Sequence, residues 1–157
     1  MGIFGPDDVP AAVNWADTDA VEVGVRFRSD VAGHITGVRF YKGPANTGTH
    51  RGSLWSAEGV RLATAVFEGE TESGWQTVTF DQPVPILANT TYVASYHTSV
   101  GQYAVTANQF AEAELARSPL HVLVGGGAYQ YEPYGWVFPG HSVNHNYWVD
   151  VVFTPNS

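Results

Sequence analysis

One stretch, residues 73–98 (SGWQTVTFDQPVPILANTTYVASYHT), constrains the fold more than any other part of the chain. Along residues 75–80 successive side chains fall on alternate faces, with Val and Phe on one face and Thr on the other, which is the period of a half-buried β-strand. Pro83 and Pro85 then end the predicted strand pairing, because proline has no N–H to donate to a sheet. A second strand is predicted at residues 92–97.

Between these two strands lies a hydrophobic residue, a threonine and a tyrosine at a defined spacing, Ile86-x-x-x-Thr90-x-Tyr92. The spacing resembles the tyrosine corner of immunoglobulin-like and fibronectin type III sandwiches. In that corner the phenol hydroxyl bonds to backbone a few residues upstream and fixes the crossing of the chain between two sheets. The stretch therefore predicts a β-sandwich in which the Tyr92 hydroxyl is buried.

Further segments with strand periodicity extend this prediction along the chain. Residues 20–28 carry alternating valines, and the turn at 29–34 leads to a strand at 35–41 that we expect to pair with the first as a hairpin. Other strands are predicted at residues 53–56, 60–67, 102–106, 120–124 and 146–153. Nine or ten strands fit an all-β, two-sheet antiparallel sandwich, either immunoglobulin-like or like a carbohydrate-binding module, with a jelly roll as an alternative.

Two segments depart from strand periodicity. Residues 107–118 (ANQFAEAELARS) predict one short helix, because an apolar stripe is flanked by acidic residues at the start and Arg117 at the end. The run Gly125-Gly126-Gly127 predicts a flexible or tightly turning point.

The length of 157 residues suits one domain. We expect that domain to span residues 20–155. Residues 1–19 lack periodicity and predict a lead-in or linker that lies over the sandwich, anchored by burial of Phe4 and Trp15.

The net charge of −8, from 15 acidic and 7 basic residues, argues against nucleic acid as a partner, because binding to nucleic acid depends on clustered Lys and Arg. No apolar stretch approaches the length of about 18 residues that suggests a membrane span, so we expect no membrane insertion. Aromatic residues make up 13% of the chain, enough for some rings to remain at the surface. The chain has no cysteine, as is common in exported bacterial modules.

Several separated motifs resemble one family. They are GVRFYKGPANTGTHRGSLWS (37–56), SGWQTVTF (73–80), TTYVASYH (90–97) and YWVDVVF (147–153). These segments are similar to bacterial domain-of-unknown-function family 4082. The resemblance implies an extracellular accessory module, secreted as part of a larger exported protein whose neighbouring domains include immunoglobulin-like, cadherin-like and carbohydrate-active ones. It assigns no ligand. The segment PGHSVNHNYW departs from relatives in carrying His141 and His145.

No pattern of catalytic residues stands out. The sequence lacks the G-x-S-x-G and H-E-x-x-H motifs, a phosphate-binding glycine loop and a cysteine nucleophile. A glycosidase needs two facing carboxylates, and nothing in the sequence singles out such a pair. We therefore expect a noncatalytic protein that requires no cofactor.

A structural calcium ion is nevertheless a reasonable hypothesis, because hard cations prefer carboxylate and carbonyl oxygens. Glu22 and Asp150 are expected on the outward faces of the first and last strands, with Asp17 and Asp19 just upstream of the first. The alternative is that these acids form hydrogen bonds and cap a sheet edge. His141-x-x-x-His145 has metal-ligand spacing only on a helix, and the surrounding Pro, Gly and Asn favour a solvated loop.

Two regions offer the aromatic rings and polar groups that sugar recognition needs. In the first, the loop at 42–55 and the turn at 97–103, the candidates are Lys42, Asn46, Thr49, His50, Trp55, His97 and Tyr103. In the second, residues 129–138, they are Tyr129, Tyr131, Tyr134 and Trp136. The alternative for each residue is a role in the core or in covering a sheet, and for Trp75 and Trp148 packing under a loop or the lead-in is favoured.

Three hypotheses for function follow. The first is a noncatalytic module that binds carbohydrate or a cell-surface glycan. The second is a structural or adhesive spacer, or a protein-interaction domain, without a small-molecule ligand. The third is an accessory domain that contributes residues to the active site of a neighbouring domain.

Overall fold

Ten β-strands form two antiparallel sheets in this computed structural model, which describes residues 1–134 and 137–156. The strands are β1 (Val21–Ser29), β2 (Gly33–Lys42), β3 (Arg51–Ser56), β4 (Arg61–Val66), β5 (Gly74–Ile86), β6 (Tyr92–Thr98), β7 (Leu115–Arg117), β8 (Leu120–Tyr131), β9 (His141–Val143) and β10 (Val149–Pro155). The described residues contain no helix.

The larger sheet has the order β4-β3-β6-β1-β8-β7, with β9 paired to β8, and the smaller sheet has the order β10-β2-β5. The inner faces of the two sheets supply the core. Phe40 on β2 stacks on Tyr96 of β6 with 4.0 Å between ring centroids, which joins the two sheets at their centre. The predicted two-sheet antiparallel sandwich is confirmed.

The predicted hairpin between the first two strands is wrong. β1 pairs with β6 and β8 in the larger sheet, whereas β2 pairs with β10 and β5 in the smaller one. Alternation shows that a strand has a buried face but does not show which strand lies beside it. Here Phe27 of β1 and Ile35 of β2 are both buried in one core, so the intervening turn crosses between the sheets.

The helix predicted at residues 107–118 is also wrong. This segment forms turns and then the short strand β7. The Phe110 N–H donates to the carbonyl oxygen of Asn144, and the Phe110 carbonyl accepts from the Gly125 N–H, so both backbone groups are engaged outside the segment. Asn108, at φ 59°, lies in the left-handed region, which a right-handed helix cannot accommodate.

The triglycine lies inside a continuous strand and forms a bulge in it. Gly127 of β8 lies opposite Val25 of β1, and Val122 lies opposite Phe27. Residues 123–126 of β8 therefore face a single residue of β1 and bulge out of the ladder. A Cβ on Gly127 would lie 2.2 Å from the His145 carbonyl oxygen, so only glycine lets that segment approach.

Strand β5 continues through both prolines. Thr79 lies opposite Gly37 and Val84 opposite Ile35, so pairing with β2 is interrupted and then resumes. β5 is an edge strand, where proline is tolerated because one side of the strand makes no ladder hydrogen bonds. Pro83 lies in the interruption, but Pro85 lies opposite His34 in the resumed pairing, so the prediction that the prolines end the pairing is wrong for Pro85.

The connection between β5 and β6 forms the predicted corner. β5 belongs to the smaller sheet and β6 to the larger one, so the chain crosses the sandwich between them. Tyr92 is buried, and its hydroxyl accepts a hydrogen bond of 3.0 Å from the Leu87 N–H, five residues upstream. The tyrosine corner is confirmed.

Replacing Tyr92 with Phe should destabilise the protein by about 1–3 kcal/mol, because the Leu87 N–H loses its partner while the ring stays in place. Urea unfolding followed by fluorescence measures this change. An unchanged free energy of unfolding would show that the hydrogen bond does not hold the corner.

The start of the lead-in is fixed to the last strand. The Ile3 and Phe4 N–H groups donate to the Asp150 carboxylate at 2.6 and 3.1 Å. The buried Phe4 ring lies 4.7 Å from that of Trp148 and 6.0 Å from that of Trp75. The predictions that Phe4 anchors the lead-in, and that both tryptophans pack beneath it, are confirmed.

The second half of the lead-in lies along the segment after β6. Ala12 forms a β-bridge with Val105, and the Trp15 N–H donates to the Tyr103 carbonyl oxygen at 2.9 Å. The Trp15 side chain is 40% exposed, so the prediction that its burial anchors the lead-in is wrong. Its backbone provides the anchor instead, and the indole stays at the surface.

Candidate functional site

An open cavity of about 290 Å³ lies where the lead-in meets the end of β8. It is lined by Trp15, Asp17, Val21, Tyr103, Tyr129, Tyr131, Val143, His145 and Tyr147. We call this cavity the aromatic pocket. Its walls come from four separate parts of the chain: the lead-in with the start of β1, the segment after β6, the end of β8, and the segment that includes the end of β9.

Asp17 lies at the centre of the hydrogen bonds in the aromatic pocket. Its Oδ2 accepts from the hydroxyls of Tyr103 at 2.9 Å and of Tyr131 at 2.5 Å, and its Oδ1 accepts from the Asp19 N–H at 3.0 Å. Two tyrosines from different parts of the chain therefore hold this carboxylate in one orientation.

These hydrogen bonds keep the carboxylate charged. Burial alone would raise the pKa of Asp17, but the hydrogen bonds from Tyr131, the Asp19 backbone and Tyr103 together lower it below its ordinary value. The hydrogen bond to Asp17, together with burial, raises the pKa of the Tyr131 hydroxyl to about 12. At neutral pH the pocket thus holds the ionised carboxylate of Asp17 and the protonated phenol of Tyr131.

The walls of the pocket are largely aromatic. The Trp15 and Tyr131 side chains are 40% and 47% exposed, which leaves large ring surfaces open to solvent. Tyr129 meets Tyr131 edge to face at 5.9 Å, and Tyr103 meets Tyr147 edge to face at 5.2 Å. Within the described residues, the hydroxyls of Tyr129 and Tyr147 have no hydrogen-bond partner. Apolar ring faces and free polar groups therefore share one small volume.

The structure brings together part of the second predicted region and one residue of the first. Tyr129 and Tyr131 line the aromatic pocket, joined by Tyr103, which was predicted with the 42–55 loop. Tyr134 is 90% exposed and does not line it. Trp136 lies outside the described residues.

Three pocket residues were missed as ligand-binding candidates. The sequence predicts a buried Trp15, a place for Tyr147 in the strand at residues 146–153, and a solvated loop around His145. No sequence signal separates Trp15 from Phe4, which lies in the same aperiodic segment and is buried.

Three polar residues of the 42–55 loop, Lys42, Asn46 and His50, are buried. His50 Nδ1 lies 2.7 Å from Glu70 Oε1, and His50 Nε2 lies 2.7 Å from Asn46 Oδ1. Lys42 Nζ lies 3.2 Å from Glu70 Oε1. Burial lowers the pKa of His50 despite the neighbouring Glu70 carboxylate. The prediction that Asn46 and His50 face a ligand is therefore not supported, since both are fully buried in a network that fixes the loop.

The other candidates of the first region are also placed away from the aromatic pocket. The buried Trp55 donates its Nε1–H to Ser95 Oγ at 2.8 Å. His97 Nε2 lies 2.6 Å from the Glu132 carbonyl oxygen, and Thr49 is exposed but does not line the pocket.

The four acids considered for calcium do not converge. Glu22 and Asp150 lie on the outward faces of their strands, because the neighbouring valines of each strand enter the core, but they are covered and only 1% and 0% exposed. Glu22 accepts from Ser95 Oγ, whereas Asp150 forms an ion pair with Arg39 in the other sheet. Asp17 is held by tyrosines, and Asp19 is exposed. Within residues 1–134 and 137–156, no group of three or more His, Cys, Asp or Glu side chains is arranged to hold a metal ion.

Two of the depressions larger than the aromatic pocket are chemically less suited to a ligand. One of about 460 Å³ between β4 and β5 is lined by threonines, small apolar residues and acids, with no aromatic ring. Another of about 510 Å³ lies beside Phe4 and Trp148, but these two buried rings pack against each other. The aromatic pocket alone among these three combines exposed rings with a fixed charge.

The fold and the pocket define an all-β sandwich domain with an aromatic depression beside its lead-in. Residues 7–149 match the sequence profile of a family described as a domain of unknown function (DUF4082), and the chain belongs to this family. The match includes the second half of the lead-in, which carries Trp15 and Asp17. No curated protein matches the chain. In the described part of the chain, no helix is long and apolar enough to cross a membrane.

Proposed function

We propose that this domain is a noncatalytic binding module that holds a carbohydrate in the aromatic pocket. The observation that carries the proposal is the pair of partly exposed rings, Trp15 and Tyr131, beside the fixed carboxylate of Asp17. Large aromatic side chains left open beside convergent polar groups are typical of ligand sites.

The surface of a sugar has two kinds of group, and the pocket offers a partner for each. The C–H face of a pyranose is apolar and packs on an aromatic ring, as Trp15 and Tyr131 permit. The sugar hydroxyls need donors and acceptors, and the hydroxyls of Tyr129 and Tyr147, which bond to no other described residue, supply both. The volume of about 290 Å³ lies near the lower end of the range for ligand pockets and suits one or two sugar rings.

The same geometry supports a noncatalytic role. Both mechanisms of glycoside hydrolysis by paired carboxyl groups need two of them across a cleft. Asp17 is the one carboxylate among the described residues that line the pocket, and two phenols already hold it. The pocket is therefore built to bind rather than to cleave.

An exported accessory role is part of the proposal. Family resemblance, negative net charge and the absence of cysteine all support a module carried by a larger extracellular bacterial protein, with the neighbouring domains as partners. The competing function is a spacer or protein-interaction domain that has this fold and no glycan ligand.

Retardation in native gels that contain neutral, acidic or amine-bearing polysaccharides tests the proposal. We expect at least one polysaccharide to retard the wild-type protein, and Trp15→Ala and Tyr131→Ala each to weaken binding about tenfold or more, because each removes a stacking surface. Tyr134→Ala is the matched control, since this exposed tyrosine lies outside the pocket and its loss should leave retardation unchanged.

Two outcomes would contradict the proposal. Migration unaffected by every polysaccharide would favour the spacer function. Retardation that survives both pocket substitutions would place the glycan site elsewhere on the domain.

A further inference from the structure

The charge of the aromatic pocket is one-sided. Asp17 is ionised, and among the described residues that line the cavity the one basic side chain is the imidazole of His145, with no Lys or Arg. The whole chain carries a net charge of −8, so no positive surplus opposes this carboxylate. An anionic ligand would be repelled here, and a cationic ligand would be attracted.

The carboxylate is poorly placed to recognise hydroxyl groups. Its Oδ2 already accepts from two phenols and its Oδ1 from a backbone N–H. These bonds occupy most of the directions from which a sugar hydroxyl could donate, but they do not cancel the negative charge. The Asp17 carboxylate therefore acts on a ligand mainly through electrostatic attraction.

The aromatic rings of the pocket, like the carboxylate, attract cations. Five aromatic side chains line the cavity. Trp15 and Tyr131 are exposed, Tyr129 is stacked on His141 at 5.2 Å, and Tyr103 and Tyr147 are buried beneath them. The face of each ring is the negative part of its quadrupole, so an ammonium group is attracted to the faces of Trp and Tyr within about 6 Å. Aromatic rings around a carboxylate form the kind of cage that binds ammonium ligands.

We infer that the aromatic pocket selects a ligand bearing a positively charged ammonium group, and that its carbohydrate is an amino sugar with a free amine. This inference rests on the proposed carbohydrate function and adds the class of sugar. In the bound state the ammonium lies between the ring faces and the Asp17 carboxylate, while the sugar ring packs on Trp15 or Tyr131.

Calorimetric titration at pH 6 with two matched oligosaccharides tests the inference. The probes are a β-1,4-linked glucosamine pentamer, whose amines are protonated, and its N-acetylated counterpart, which is neutral. We expect the wild-type protein to bind the amine form at least about tenfold more tightly, and higher salt to reduce the difference. This comparison needs no variant, so it does not depend on the folding of a mutant.

Asp17→Asn should remove most of the preference, because the amide keeps the size of the side chain and loses its charge. Asp19→Asn is the matched control, since it removes the same charge from an exposed position outside the cavity and should retain the preference. The melting temperature of each variant reports whether its fold is intact.

Tetramethylammonium chloride, a sugar-free source of the same charge, separates the remaining outcomes. Equal affinity for the two pentamers would overturn the ammonium inference and leave the carbohydrate function standing. Saturable binding of tetramethylammonium but of neither pentamer would support an ammonium pocket and overturn the amino-sugar assignment. No binding of any probe would overturn the inference, and failure in the polysaccharide gels as well would overturn the carbohydrate function.

Discussion

Replacing Glu22 with Gln is expected to remove a large pH dependence of stability from this protein. The Glu22 carboxyl group is 1% exposed on β1, accepts one hydrogen bond of 2.6 Å from Ser95 Oγ, and has no partner for its Oε1. Burial raises the pKa of Glu22 from 4.5 to about 8 and outweighs the opposing effect of Ser95 and Arg51. The group is therefore neutral in the folded protein at pH 7.

The sign of the effect follows from the two protonation states. Between pH 4.5 and about 8 the folded protein holds this proton and the unfolded chain does not. The contribution of Glu22 to stability is thus fully present below pH 4.5 and is lost as the pH rises through about 8, at roughly 1.4 kcal/mol per pH unit. Gln is neutral throughout, so the variant lacks this loss.

Urea unfolding of both proteins at a series of pH values measures the effect. Relative to the wild type, Glu22→Gln should gain stability as the pH rises, by about 5 kcal/mol over the whole interval. Glu58→Gln, at an exposed turn position, is the matched control and should run parallel to the wild type. If the Glu22→Gln curve is parallel as well, Glu22 is not a buried neutral acid.

Asp150→Asn should have the second large effect, a loss of about 3–5 kcal/mol in the free energy of unfolding. This carboxylate is fully buried and lies 2.6 and 2.9 Å from two nitrogens of Arg39. It also accepts the N–H groups of Ile3 and Phe4. An amide cannot balance the guanidinium charge or accept all of these donors, so both the smaller sheet and the start of the lead-in lose a partner.

Urea unfolding at one pH is sufficient to measure this loss. Asp81→Asn removes the same charge at an exposed position on β5 and should change stability by less than about 0.5 kcal/mol. A similarly small loss for Asp150→Asn would mean that the ion pair with Arg39 contributes little to the free energy of unfolding.

These two acids show how far the sequence alone could lead. The sequence makes Glu22 and Asp150 candidate calcium ligands because they are carboxylates on the first and last strands. In the structure Glu22 bonds to Ser95 and Asp150 pairs with Arg39, and these partners lie 73 and 111 residues away in the chain. Local alternation carries no information on such partners.

Features set by local spacing were predictable. The alternation in β5 and the Ile86–Thr90–Tyr92 spacing correctly predicted a sandwich and its corner. The partner of each strand was not predictable, because β1 and β2 have the same kind of buried face and could pair or pack across the core. The helix failed for a similar reason, since the backbone of Phe110 bonds to distant segments.

The aromatic pocket was predicted only in part. Tyr129 and Tyr131 stood out because the end of β8 has more rings than a core strand needs. Asp17 was recognised as an acid but not as a partner of Tyr103 and Tyr131, which lie 86 and 114 residues further along the chain. Composition makes the polar loop at 42–55 a binding candidate. The burial of Lys42, Asn46 and His50 in this loop is visible only in three dimensions.

The most direct test of the pocket is the set of indole N–H signals in a nuclear magnetic resonance titration. The ¹⁵N-labelled protein is titrated in turn with the glucosamine and N-acetylglucosamine pentamers. We predict a saturable shift of the Trp15 indole signal with at least one of them. The signals of Trp55 and Trp148, whose indole N–H groups are bonded to Ser95 and Thr106, should stay in place. Saturable shifts that spare Trp15 and fall on Trp55 or Trp148, or no shift with either pentamer, would contradict a glycan site in the aromatic pocket.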